Sequence, residues 1–261
     1  MADHYILDHY ELTDAEETRL YEMAKTEQWN AATDIDWSRP IEWNKKLDKE
    51  TALAYRRGLL SQFWYGEQGA LGVCAQLIPL VPDMSAKLYL SSQVIDEARH
   101  VEVFGRYLNL LGGPTCVNPH LEELLLKLLD APDAEEKLVG MQVVAEGLAL
   151  DSFHSIMDTT SDGLLREILE KVTRDESRHL GFGVLYLKKR IDRATPARKA
   201  EIEGALAQYA GLIARSTGWR NPDVPPPPAH WRIEESTASF SKYLLRNLRG
   251  RLNQIGLNLA A

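Results

Sequence analysis

A chain of 261 residues, with 44% hydrophobic and 26% charged side chains, can bury a full core as one large domain or as one domain with an appendage. Its formal net charge of −8 argues against a general binder of nucleic acid or of anionic membrane, which needs a broad basic surface. Only two cysteines, Cys74 and Cys116, and no apparent signal peptide argue against a disulfide framework and for a reducing cytoplasm; no apolar run approaches the roughly 20 residues of a membrane-spanning helix.

Apolar residues recur at three and four spacing almost throughout, without long alternating β-branched runs, so the chain reads as all-α. A first helix is predicted over about 13 to 29, capped by Thr13 or Asp14. The Trp-rich connector QWNAATDIDWSRPIEW leads into a long helical segment from about 48 to 80, closed by Pro79 and Pro82. The next helix runs from about 84 to 111 and stops at Gly112, Gly113 and Pro114. A short helix around LEELLLKLLD precedes a helix over about 134 to 158, with Asp133 as its cap, and another over about 162 to 192. A further helix covers about 196 to 217. GWRNPDVPPPPAHW, with four consecutive prolines, reads as a stiff spacer. The tail from about 236 to 258 is basic and amphipathic, carrying Lys242, Arg246, Arg249 and Arg251, and is expected to dock over a pocket mouth or onto another subunit, with membrane-surface association or a disordered tail as the alternatives. The expected divisions are 1–47 for the first helix and connector, 48–217 for a bundle, and 218–261 for the linker and C-terminal helix.

One charged cluster is written twice, as DEARHVEVFGRYL and DESRHLGFGVLYL. Glu97 and Glu176 lie 79 residues apart (176 − 97), as do His100 and His179, Asp96 and Asp175, Arg99 and Arg178, and Tyr107 and Tyr186. Glu67 and Glu146 share the offset, so the repeated unit is a helix pair with Glu on its first member and Glu-x-x-His on its second. Two such pairs make a four-helix bundle. Residues three apart on an α-helix share a face, about 4.5 Å apart along its axis, so each Glu and His of the motif points the same way, among apolar neighbours. Four buried carboxylates must be protonated, paired with cations or bound to metal. Two divalent cations would cancel four carboxylate charges, and two imidazoles would supply one nitrogen to each; such ligands, without thiolate, suit iron or manganese better than structural zinc. Asp96 and Asp175 are expected to accept the N–H of a histidine on a neighbouring helix and hold its tautomer, with Arg99 and Arg178 pairing with those aspartates. Tyr107 and Tyr186 read as core packing. Asp151-x-x-His154 has ligand spacing but no counterpart at the offset, and reads as helix surface or outer support.

Glu67, Glu97-x-x-His100, Glu146 and Glu176-x-x-His179 resemble the ligand set of the ferritin-like di-iron carboxylate superfamily. Within it, the connector together with DEARHVEVFGRYL is similar to the ribonucleotide reductase small subunit and its oxidase relatives, from about Gln28 to Lys189. The resemblance implies a ferritin-like four-helix bundle with additional N- and C-terminal helices, in which the six residues bind two Fe ions, or Mn and Fe, and activate O2. The chain departs from each subfamily. Many reductase subunits place a radical tyrosine where Phe104 stands. The ligand-binding oxidases cross-link a Val and a Tyr at positions matching Gly69 and Met141. The aminobenzoate N-oxygenases carry an extra His where Val172 stands.

Ala70 and Ala149 sit three residues after Glu67 and Glu146, with Gly66, Gly69, Gly72 and Gly147 nearby, which leaves either room near the metals or close helix packing. An apolar pocket is expected from Phe63, Trp64, Ala70, Cys74, Phe104, Val143, Ala149, Leu150 and Phe153. No GxGxxG or Walker loop is present, so electrons are expected from an external donor or the substrate. The expected function is a non-haem di-iron oxidase or oxygenase acting on a small apolar or aromatic molecule by hydroxylation, N-oxygenation or desaturation. The alternative is a radical-generating subunit serving a larger partner, with an electron path through Trp37 or Trp43. Iron storage fits less well, because the decorated bundle suits a monomer or homodimer rather than a closed shell.

Overall fold

The residues described by the computed structural model are 15–43, 47–227 and 233–259; Thr13 and Asp14, the expected first caps, lie outside them. Helix α1 (Ala15–Thr26) is followed by α2 (Lys49–Leu80), which starts where the Asp48 carboxylate accepts from Thr51 N at 2.9 Å. Pro79 does not close α2 but lies inside its last turn, where buried Lys87 donates through Nζ to Ile78 O at 3.0 Å. Helix α3 (Met84–Leu110) ends at Gly112 and Gly113, with φ of 91° and 95°, a left-handed conformation that glycine adopts without strain. Helix α4 (Pro119–Leu129) leads to a rod made of α5 (Ala134–Leu138), a π-helical segment (Val139–Ala145) and α6 (Glu146–Thr159). Asp133 caps the rod by accepting from Glu136 N at 3.1 Å, but the rod is not the unbroken α-helix expected. Spacing of apolar residues does not register one widened turn. Helices α7 (Gly163–Ile191), α8 (Pro196–Gly218) and α9 (Ile233–Gln254) complete the chain.

The fold is a ferritin-like bundle built from two helix pairs, α2 with α3 and the α5–α6 rod with α7. Helix α1 packs on α3 and α7, and α4 lies between α2 and α8. The internal repeat also locks the pairs to each other. Tyr107 OH on α3 donates to Asp162 Oδ2 at 2.6 Å, and Tyr186 OH on α7 donates to Asp83 Oδ2 at 2.8 Å. Asp83 and Asp162 are the residues at which α3 and α7 begin, and they too are 79 apart (162 − 83). Each tyrosine therefore fastens the start of the opposite pair's second helix. Asp162 is the more heavily used: fully buried, it also accepts from Leu164 N and Leu165 N and pairs with Arg56.

Helix α9 folds back on α6, α7 and α8, burying Leu244, Leu248 and Leu252. Asp151, expected on a helix surface or as outer support, is buried beneath α9 and accepts from Arg251 at 2.7 and 2.9 Å and from Asn247 at 3.1 Å. His154 is exposed. Among the described residues no helix is long and apolar enough to cross a membrane.

Removing a buried partner of an ion pair costs about 3 kcal/mol, because the remaining charge is left uncompensated, whereas an exposed partner costs about 1 kcal/mol or less. Asp162→Ala is therefore expected to lower the thermal midpoint by several degrees more than Asp83→Ala, whose residue is exposed; calorimetry of the two variants checks the order.

Candidate metal centre

The four bundle helices bring Glu67 (α2), Glu97 and His100 (α3), Glu146 (α6), and Glu176 and His179 (α7) together, all buried. Both imidazoles aim Nδ1 at the centre. His100 Nδ1 lies 3.4 Å from Glu67 Oε2, 3.6 Å from Glu97 Oε2 and 3.1 Å from Glu176 Oε1. His179 Nδ1 lies 3.3 Å from Glu97 Oε1, 3.7 Å from Glu146 Oε1 and 3.1 Å from Glu176 Oε2. Two sets result, each with its ligand atoms within 4.8 Å of one another: Glu67, Glu97, His100 and Glu176, and Glu97, Glu146, Glu176 and His179. Glu97 and Glu176 belong to both and can present one oxygen to each.

The donor set fits a pair of cations. Glu97 Oε2, His100 Nδ1 and Glu176 Oε1 are buried atoms with no hydrogen-bond partner, which is costly unless something else satisfies them. Without cations the charge is balanced by protons. Burial lifts Glu67 to about 8, against the opposing pull of His100, and lifts Glu146 well above the carboxylate range with help from the Glu176 and Glu97 charges. Burial alone would depress the imidazoles, but the aspartate at each Nε2 and the glutamates facing each Nδ1 hold His100 and His179 well above the usual range. Glu176 is held low against burial by the neighbouring Glu146, His100 and His179.

The outer nitrogens are held crosswise. His100 Nε2 donates to Asp175 Oδ2 on α7 at 3.3 Å, and His179 Nε2 donates to Asp96 Oδ2 on α3 at 3.2 Å. Arg99 reaches Asp175 at 3.0 Å and also pairs with Asp96; Arg178 reaches Asp96 at 2.9 Å and Asp175 at 2.8 Å. Two aspartates and two arginines thus form a buried, charge-balanced ring behind the histidines. Asp96 and Asp175 stay below their usual values, burial being outweighed by the imidazole hydrogen bonds. The start of the connector and the residue before it close over this ring: Trp29 Nε1 donates to Asp175 at 2.7 Å, Gln28 Nε2 to Asp96 at 3.1 Å, and Glu27 accepts from Arg178 at 2.8 Å. The tryptophans singled out as an electron path lie elsewhere, with Trp37 donating to Ala31 O at 2.8 Å and Trp43 lying under Arg56.

A cavity of about 650 Å³ opens beside the centre and reaches Glu67 and Glu146. Of the expected pocket residues, Phe63, Ala70 and Ala149 line it; Trp64, Cys74, Phe104, Val143, Leu150 and Phe153 do not. Phe104 and Phe153 pack in the bundle interior, Phe104 with ring centroids 6.2 Å from Phe63 and 5.8 Å from Phe153, and Phe153 4.8 Å from Phe63. Cys74 and Val143 are fully buried in the core, and Trp64 packs against Tyr65 with tilted rings 5.2 Å apart. Beyond α2 and the rod, its walls come from α4, α8, the 219–227 segment and α9, including Leu121, Leu125, Trp219, Val224, Phe240 and Leu244. The glycines divide between the two readings. Gly66 faces open space, whereas a Cβ at Gly69 would lie 2.5 Å from Leu125 and one at Gly147 would lie 2.8 Å from Arg251. Spacing on α2 and α6 could not reveal these partners, which are distant in sequence.

A family model described as P-aminobenzoate N-oxygenase AurF matches residues 70–241, about two thirds of the chain. Among solved structures, a variant R2-like ligand-binding oxidase with an aerobically reconstituted Mn/Fe cofactor is similar at 20% identity and a TM-score of 0.73, covering 96% of this chain and 99% of that one. Another R2-like ligand-binding oxidase with the same cofactor, after a long soak, is 19% identical at a TM-score of 0.70, covering 96% and 98%. At these identities the likeness concerns the fold.

Two outcomes are expected of the centre. Glu97→Ala and His179→Ala should each lower bound metal from about two ions per chain to one or fewer while the helical circular dichroism persists. Loading metal at neutral pH should release protons, because binding needs deprotonated ligands and Glu67, Glu146, His100 and His179 are held protonated. The Glu67 share should fade as pH rises past about 8, which calorimetry in buffers of different ionisation enthalpy would register.

Proposed function

The chain belongs to the P-aminobenzoate N-oxygenase AurF family, an oxygenase family, and from that premise we propose that Glu67, Glu97, His100, Glu146, Glu176 and His179 hold two iron ions, or manganese and iron. Such a pair supplies the capacity to activate O2, which protein side chains lack. The substrate is a small apolar or aromatic molecule oxidised by hydroxylation, N-oxygenation or desaturation, with electrons from an external donor or the substrate.

The observation that carries this reading is the continuity of cavity and cage: Glu67 and Glu146 belong to both. A molecule in the cavity therefore meets the centre at its two outer carboxylates. Once cations displace the Nδ1 protons, Asp175 and Asp96 would keep the remaining proton of each imidazole on Nε2 and leave both Nδ1 lone pairs directed inward. Several polar groups at the cavity wall are already engaged. Gln62 donates to Cys116 O at 3.0 Å and accepts from Asn118 N at 2.7 Å, Asn118 donates to Ser216 at 2.8 and 3.1 Å, and Asn221 donates to Thr115 at 2.9 Å. Much of what faces the interior is apolar, and Phe240 and Leu244 of α9 help exclude water.

The radical-subunit alternative is not favoured, since the matching family is one of oxygenases and the chain pairs its centre with a substrate-sized cavity. Protein loaded anaerobically with iron(II) and mixed with O2 should consume O2 faster than Glu97→Ala, with acceleration by a fitting apolar or aromatic compound. Equal uptake by both proteins would overturn the reading. Filling the cavity by Ala149→Phe should preserve metal content and abolish at least about nine tenths of the compound's acceleration, roughly 1.4 kcal/mol of lost transition-state stabilisation.

A further inference from the structure

The offset that relates the cage residues also relates their supports, and three of those pairs are unlike. Gln93 corresponds to Val172 (172 − 93 = 79), Gln142 to Phe63, and Gly183 to Phe104. Around the His100 half the three are apolar: Phe63 packs on Phe104 with ring centroids 6.2 Å apart, and Val172 is buried in the same cluster. Around the His179 half they form a polar insert. A Cβ at Gly183 would lie 2.2 Å from the Gln142 Cβ, so the absent side chain is what admits Gln142. Gln142, carried by the π segment, donates through Nε2 to Gln93 Oε1 at 2.7 Å. Gln93 Nε2 also lies 3.4 Å from Gln142 Oε1, so the two amides meet side by side, and the short bond accepted at Gln93 Oε1 leaves its Nε2 toward the cage. Gln93 has two N–H groups, and they reach two carboxylates, Glu97 Oε1 and Glu146 Oε1, each at 2.9 Å. Both glutamines are fully buried. Glu67, the counterpart of Glu146, has instead the His100 imidazole at 3.4 Å as its polar contact.

We propose that Gln93, oriented by Gln142, is a positioning residue that fixes Glu97 and Glu146 and makes the His179 half of the cage the tighter cation site, filled before the His100 half. This rests on the two-cation reading of the cage. A neutral amide is suited to the task because it holds a carboxylate without cancelling the charge a cation needs, as a guanidinium would. The held oxygens lose less freedom when a cation arrives, so that half is pre-organised while Glu67 must be ordered on binding.

The test is stepwise anaerobic addition of manganese(II) to the full chain, with free ion followed by electron paramagnetic resonance. Two steps separated by about tenfold or more in Kd are expected; His100→Ala should retain the tight step and His179→Ala only the weak one. Gln93→Val, which copies the residue at the repeat counterpart, should weaken the tight step by about 10-fold or more and leave the weak step in place. Gln142→Leu leaves Gln93 present but unoriented, and should shift the tight step in the same direction if Gln93→Val fails to fold. Unchanged steps in folded Gln93→Val or Gln142→Leu would overturn the proposal, as would equal affinities in the unsubstituted chain or a tight step lost with His100. Absence of manganese binding by the unsubstituted chain is a separate result, which would defeat the two-cation reading itself.

Discussion

Four carboxylates lie at the middle of this bundle, away from water, and a buried anion costs several kcal/mol unless a cation or proton accompanies it. Removing that cost governs the rest of the structure. Protons can do it, as the raised Glu67, Glu146, His100 and His179 indicate, but they leave Glu97 Oε2, His100 Nδ1 and Glu176 Oε1 without hydrogen-bond partners. Two divalent cations would satisfy the same atoms and neutralise the same charge, with the two shared carboxylates lying between the imidazoles.

Contacts between α3 and α7 hold the cage. The crossed contacts of Asp175 with His100 and Asp96 with His179 tie α3 to α7 at the centre, and the tyrosine contacts to Asp162 and Asp83 tie the same helices near their ends. The repeat is kept at the six cage residues and at the aspartates and arginines behind them. It is broken by the cavity along α2 and α6, by Trp29 on Asp175, and by the glutamine pair beside His179.

The convergence of the six cage residues was legible because a single offset, repeated at every chemically relevant position, is hard to produce by chance. The crossed aspartates were legible too, since a residue next to an inward glutamate has few buried partners other than the opposing histidine. What spacing could not supply was identity across long sequence distances. It placed Phe104, Phe153, Cys74 and Val143 on inward faces, which is correct, but an inward face may meet a neighbour rather than a cavity, and these four are packed in the core. Gly69 and Gly147 similarly make room for Leu125 and Arg251 rather than for a ligand. The π segment left no trace in apolar periodicity, and Gln142 gained its place only through it and through Gly183. Asp151 could not announce a partner, Arg251, that lies 100 residues away.

The central claim is that two cations occupy the space between the Nδ1 atoms and share Glu97 and Glu176. Anomalous X-ray scattering from crystals grown with iron or manganese tests it most directly. The account predicts two peaks within bonding distance of His100 Nδ1 and His179 Nδ1, bridged by those carboxylates; a single peak, or peaks only at the surface of the bundle, would contradict it.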